Sequence, residues 1–198
     1  MIHAIKQQQV PNGVENVEGR GPYIGTYLRG RFYPLDPRPE EVFIEDIARS
    51  LSMQCRYNGH IDRFYSVAEH SVLMSYMAST TEIAKWCLMH DASEAYIGDM
   101  VRPLKLLFPE FSEIEDKIHL VLAERFDLPY TMPDEVKKWD DVICSNEKEA
   151  LISKGEEWGN MPEPHPTIKV PKTECNPATA EALFLQRFNE LFEGEENV

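Results

Sequence analysis

Two histidines and two aspartates are spaced so that they can hold a cation. His70 shares a helical face with Leu73, Met74 and Met77, and His90-Asp91 follows Ile83, Trp86 and Cys87. Asp140 lies on the stripe Val136, Ile143, Cys144 and Leu151. A charge on an inward face is costly without a partner. Two imidazoles and two carboxylates converging from three helices find one in a divalent ion, and mixed N/O ligation suits Zn, Mn, Fe, Co or Ni better than Ca. Asp141 is the internal control. Its helical neighbours Lys137, Lys138, Ser145 and Lys148 mark a solvated face, so Asp140 is the candidate ligand. With no further histidines at helical spacing beside these four, a single metal ion is expected. A lone His on an apolar face is more often a hydrogen-bonded core residue than a ligand, and an isolated His-Asp pair is a weak motif. The weight comes from what surrounds them.

Glu94 follows His90 by four residues, one turn further along an expected helix. Asp99 comes directly after Gly98, and Arg102 and Lys105 flank Pro103. A metal-activated water beside a carboxylate, with cations for phosphate oxygens, is hydrolytic equipment that a purely structural zinc would not need. Arg63 is a further phosphate candidate, and His60 is as well suited to a turn as to phosphate. His119, one turn after Glu115 and Asp116, reads as part of a surface ion pair.

Hydrophobic periodicity supplies the elements that would carry these groups. Aromatic and β-branched residues around Arg29-Gly30-Arg31 suggest a hairpin over 23–33, ended by Pro34, Pro37 and Pro39. Helices fit 40–51, 68–79, 81–97, 112–126 and 133–153, with Gly98 placed to stop the third. Four prolines make 155–176 a long loop or docking arm. Asn176-Pro177 opens a last helix whose stripe is Phe184, Phe188, Leu191 and Phe192, a core or subunit-interface face. The expectation is a mostly α single domain over 23–198 with a small N-terminal β-hairpin, preceded by a flexible arm over 1–22. Glu193, Glu195 and Glu196 are a solvated tail.

At 198 residues the chain can bury one core, and its 42% hydrophobic content fits an ordered globule. A net charge of −14 disfavours nucleic acid and anionic membranes as partners. A small anionic substrate is compatible with it, since a metal and a few cations can sit inside an acidic shell. No apolar run approaches the roughly 20 residues of a membrane span, and Met1 to Val10 lacks the pattern of a secretory signal. A cytoplasmic protein is expected. Cys55, Cys87, Cys144 and Cys175 form no C-x-x-C pair and read as buried free thiols.

In order along the chain, Glu69-His70-Ser71, His90-Asp91-Ala92-Ser93-Glu94, Gly98-Asp99, Pro103-Leu104-Lys105 and Asp140 resemble the HD superfamily of phosphohydrolases, over about 32–151. The chain is most similar to two branches. These are the bacterial 5'-deoxynucleotidases, which cleave deoxynucleoside monophosphates, and the small phage dATP triphosphohydrolases, which strip triphosphate from dATP. The resemblance implies an HD-type helical domain with His70, His90, Asp91 and Asp140 as metal ligands. Glu94 would assist water attack or leaving-group protonation, Asp99 would lie near the sugar and leaving oxygen, and Lys105 would bind phosphate. Arg56-Tyr57 resembles an Arg-Trp pair in which Arg holds phosphate and the aromatic ring touches base or sugar.

The expected activity is metal-dependent hydrolysis at the 5'-phosphate end of a 2'-deoxynucleotide, with Zn, Co or Mn as cofactor and Mg as an addition. The cations Arg56, Arg63, Arg102 and Lys105 are generous for one phosphate, which tilts the expectation to a dATP or dNTP triphosphohydrolase over a 5'-deoxynucleotidase. The alternative of another class is a non-catalytic binding or scaffold protein stabilised by metal. A homo-oligomer is expected.

Overall fold

The computed structural model describes residues 16–155 and 159–194. It is mostly helical, with one two-stranded antiparallel hairpin near the N-terminus. The hairpin pairs β1 (Ile24–Gly25) with β2 (Arg31–Phe32) in the register Ile24 to Phe32 and Gly25 to Arg31. Its turn is tied to the first helix, α1 (Ile44–Met53), where the Leu28 N–H donates to Asp46 at 2.7 Å. Helix α1 starts later than periodicity suggests, because Phe43 is extended and only a 3-10 turn, Pro39–Glu41, precedes it.

Ser66 opens α2 (Val67–Ser75) with a reciprocal capping box to Glu69, which places His70 on the first turn. The expected helix 81–97 is two pieces. It runs as α3 (Thr81–Met89), tightens into three-residue turns through His90–Ser93, and resumes as α4 (Glu94–Ile97). Gly98, at φ 77°, ends it with an N–H bond to the Glu94 carbonyl at 2.8 Å, a backbone position that suits glycine. A short α5 (Arg102–Lys105), absent from the periodicity reading, leads into α6 (Pro109–Arg125). Helices α7 (Asp134–Leu151) and α8 (Pro177–Phe192) follow, the latter capped by Asn176 on the Thr179 N–H at 2.9 Å.

A continuous hydrophobic core draws on β2 and on every α-helix except α5. Helix α8 packs against α1, α2 and α3, so Phe184, Phe188 and Leu191 are core residues. Among the described residues no helix is long and apolar enough to cross a membrane.

Three expectations change. Residues 1–15 of the N-terminal arm, with His3, lie outside the described residues, but 16–22 are held down. Arg20 bonds Asp36 at 2.6 Å and Glu41 at 2.5 Å, with its guanidinium 3.9 Å from the centre of the Tyr33 ring. The proline-rich stretch, apart from 156–158 outside the described residues, lies against its own domain. Ser145 bonds the Pro162 carbonyl at 2.7 Å, Asn146 the carbonyls of His165 and Ile168 at 2.9 and 3.0 Å, and Arg63 the Pro171 carbonyl at 2.6 Å. Of the four free thiols only Cys87 is buried, the others being partly exposed. Glu195 and Glu196 of the tail lie outside the described residues.

Candidate metal centre

Helix α2 delivers His70 to the middle of the molecule, where it is 0% exposed. Its Nδ1 lies 2.6 Å from Glu147 Oε1, and His90 Nδ1 lies 2.8 Å from the Cys87 carbonyl. Each acceptor fixes a proton on Nδ1, so in the neutral rings both Nε2 atoms carry lone pairs. Those two nitrogens face each other at 3.2 Å. Two lone pairs repel at that distance unless a cation or a shared proton lies between them. Two nitrogens on one transition metal at 2.0–2.1 Å stand about 2.8–3.4 Å apart for angles between octahedral and tetrahedral, so the spacing fits metal ligation.

Asp91 completes a tight group. One ligand atom from each of His70, His90 and Asp91 can be chosen so that all lie within 4.8 Å of one another. Asp91 Oδ2 is 3.1 Å from His90 Nε2 and 3.7 Å from His70 Nε2. Asp140, on α7, brings Oδ1 to 3.3 Å from His70 Nε2 and 3.9 Å from His90 Nε2. The four expected ligands therefore meet, Asp140 as the most exposed member.

The break after α3 decides how the acid is placed. Between Met89 and Tyr96 the N–H groups of Ala92, Glu94, Ala95 and Tyr96 each bond a carbonyl three residues back, at 3.0, 2.9, 3.3 and 3.0 Å. With three residues per turn, Asp91 and Glu94 share a face. The expected alignment of Glu94 with His90, four residues apart, is replaced by this one. His119 secures the break: its Nε2 lies 2.9 Å from the His90 carbonyl and 3.3 Å from Ser93 Oγ. It is a brace for the end of α3 and not the surface ion-pair residue its neighbours suggested. Burial lowers its pKa. Gln54 braces the far side, donating to the Glu94 carbonyl at 3.1 Å and accepting the Asp99 N–H at 3.2 Å.

The carboxyl groups are pushed in opposite directions. Burial disfavours charge on Asp91, but His90, His70 and Arg56 outweigh it and hold Asp91 well below the usual carboxylate range. Asp140 is likewise lowered against its burial, chiefly by His70. Glu94 is raised well above its ordinary value by burial and by Asp91 and Asp99 beside it, and Asp99 is raised by burial. Asp91 is thus biased toward its charged form and Glu94 toward its protonated one, a division of labour common at acid–base sites.

Glu147 is the residue that the sequence reading missed. It is 0% exposed, on the same stripe of α7 as Asp140, and accepts from His70 Nδ1, from Tyr65 Oη at 2.9 Å and from the Tyr57 hydroxyl. Arg56 Nε stands 3.3 Å from it. Burial alone would raise its pKa, but Arg56 and His70 bring it down to about 2. A carboxylate behind a ligating histidine fixes the tautomer and strengthens the ligand. The signal was a charged residue on an apolar stripe, two turns after Asp140.

The expected cations divide. Arg56 stands at the centre, 3.5 Å from Asp91. Lys105 pairs with Glu115 at 2.8 Å, and the charges of Glu94 and Asp91 also act on it. Arg63 is turned away, committed to Glu69 at 3.3 Å and to the Pro171 carbonyl. Arg102 is 77% exposed, 4.0 Å from Asp141. Tyr57 joins the Glu147 network through its hydroxyl, with its ring 5.3 Å from the Arg56 guanidinium. His60 is an exposed residue at the end of the Arg56–Gly59 turn.

No protein-family model matches the chain. It is 37% identical over 179 residues to the uncharacterized protein YfdR of Escherichia coli (strain K12), covering 86% of this chain and 96% of that protein. It is also 36% identical over 113 residues to the uncharacterized protein RCAP_rcc00048 of Rhodobacter capsulatus, covering 52% of this chain and 58% of that protein.

Proposed function

For this chain, which belongs to the family of the Escherichia coli protein YfdR, we propose metal-dependent phosphohydrolysis of the HD type at the 5'-phosphate end of a 2'-deoxynucleotide. The observation that carries the proposal is the convergence of His70, His90 and Asp91 ligand atoms within 4.8 Å, with Glu94 on the face of Asp91. His70, His90, Asp91 and Asp140 would hold a divalent transition metal, which when bound supplies Lewis acidity toward a phosphoryl oxygen and makes water a stronger acid.

The protein's own groups do the rest. Glu94, whose pKa is raised by burial and by its acidic neighbours, would give its proton to the leaving oxygen as the attacking water bonds to phosphorus and the P–O bond breaks, and would recover a proton from the water-derived phosphate. Asp99, held beside it by Gln54, faces the sugar side of that oxygen. Arg56 offsets charge building on the phosphoryl oxygens, and Lys105 assists from α5. Glu147 keeps His70 in the ligating tautomer.

The count of cations bears on the substrate. The lean toward a triphosphate rested on four of them, and two are engaged elsewhere: Arg63 holds the proline-rich stretch and Arg102 faces solvent. What is left suits one phosphate, which favours deoxynucleoside monophosphates. The test is product analysis for all deoxynucleoside mono- and triphosphates with Mn, Co, Zn and Mg. Orthophosphate from monophosphates is the expected result. Triphosphate from dATP would restore the other branch, and no product with any metal would favour a metal-stabilised scaffold.

A further inference from the structure

The tight turn after α3 deprives a backbone carbonyl of its usual partner. In a continued α-helix the Glu94 N–H would bond the His90 carbonyl four residues back. Here it bonds the Asp91 carbonyl instead, at 2.9 Å. His90 is only 8% exposed, so a carbonyl freed in this way needs another donor. The donor comes from α6. The Nε2–H of His119 bonds the His90 carbonyl at 2.9 Å, with Ser93 Oγ 3.3 Å from the same nitrogen. A side chain from a distant helix thus takes the place of the N–H that the turn removed.

The exchange matters because the two backbone geometries aim Glu94 differently. Three-residue turns make poorer hydrogen bonds than α-helical ones, so a helix continued from α3 is the local default. At about 100° per residue that helix would set Glu94 roughly 60° around the axis from Asp91, nearer the face of His90. At about 120° per residue Glu94 stands over Asp91. By satisfying the His90 carbonyl from outside, His119 offsets the cost of the tight turn and removes the advantage of the continued helix. The same face of α6 carries Glu115, one turn earlier, which pairs with Lys105 at 2.8 Å. One helix therefore holds in register the acid and a cation for phosphate.

We propose, resting on the phosphohydrolase reading for what Glu94 does, that His119 is a positioning residue of the centre. Its bond to the His90 carbonyl selects the tight turn and so puts Glu94 beside Asp91. Three variants separate that bond from mere packing. His119→Phe fills the space without a donor, His119→Asn has an amide that stops short of the carbonyl, and His119→Gln carries an amide N–H about as far as Nε2. With the Mn-loaded full chain and dAMP, kcat should fall about 10²-fold in His119→Phe and His119→Asn. KM should stay within about threefold, with bound Mn per chain unchanged. His119→Gln should recover kcat to within about tenfold of the native protein. Crystal structures should show the Glu94 N–H returned to the His90 carbonyl in His119→Phe and kept on the Asp91 carbonyl in His119→Gln. His119→Asn carries both readouts if His119→Phe fails to fold. Equal loss of kcat in all three variants, a loss confined to KM, or a Glu94 N–H still on Asp91 without the donor would overturn the assignment. No turnover in the native protein would overturn the hydrolase reading instead, and the crystal structures would still decide whether His119 selects the turn.

Discussion

Glu147 and His70 are joined at 2.6 Å, oxygen Oε1 to nitrogen Nδ1, with both side chains fully buried. The bond fixes the tautomer of His70, so if His70 ligates a metal as proposed, its loss should be felt in metal affinity. Glu147→Gln should weaken Mn or Co binding about 10–100-fold, measured by competition with a chromophoric chelator. Glu147→Ala should instead cost about 3–5 kcal/mol of stability, because it leaves the buried Arg56 and His70 without their carboxylate. Denaturant unfolding of the two variants checks the contrast.

The same pair sets a pH dependence. Burial and the Arg56 charge both favour neutral His70, yet Glu147 and Asp140 prevail and lift its pKa to about 9, from about 6.5 for a free histidine. The folded protein therefore binds this proton more tightly than the unfolded chain. The stabilisation is complete below about pH 6.5 and is lost as pH rises through about 9. In the presence of chelator the Tm should fall across that window. Metal must displace the proton, so Mn or Co affinity should rise with pH over the same range, by up to about tenfold per unit.

Arg63 holds the proline-rich stretch against the domain through the Pro171 carbonyl, at 2.9 Å from Nε and 2.6 Å from a terminal nitrogen, while pairing with Glu69. Arg63→Ala should destabilise by about 1.5–3 kcal/mol and speed cleavage within 159–176 in limited proteolysis. Metal affinity should stay within twofold of the native protein. An unchanged cleavage pattern would count against this anchoring role.

What could be read in advance follows physical range. His70 and Asp140 could be singled out because each lies on an apolar stripe of its helix, and His90-Asp91 because it directly follows one, all local properties of spacing. Glu147 lies on such a face too, but its meaning depends on Arg56, Tyr57, Tyr65 and His70 arriving from distant segments, which no local pattern reports. The tightening at His90–Ser93 was hidden for another reason: over four residues, 3.0 and 3.6 residues per turn leave nearly the same apolar pattern. The anchoring of 16–22 by Arg20 and the commitment of Arg63 were not foreseen because their partners, Asp36 with Glu41 and the Pro171 carbonyl, are remote in sequence. The core stripe of α8 was plain, since amphipathic helices declare their buried face.

If the proposed centre hydrolyses phosphate esters with Glu94 as its acid, removing that acid must silence it. The most direct measurement sets the native protein beside Glu94→Gln, both loaded with Mn or Co, and reads orthophosphate release from dAMP together with bound metal per chain. Turnover is expected in the native protein and a fall of about 10²–10⁴-fold in the variant, with metal content and Tm preserved. Equal turnover in the two proteins would contradict it.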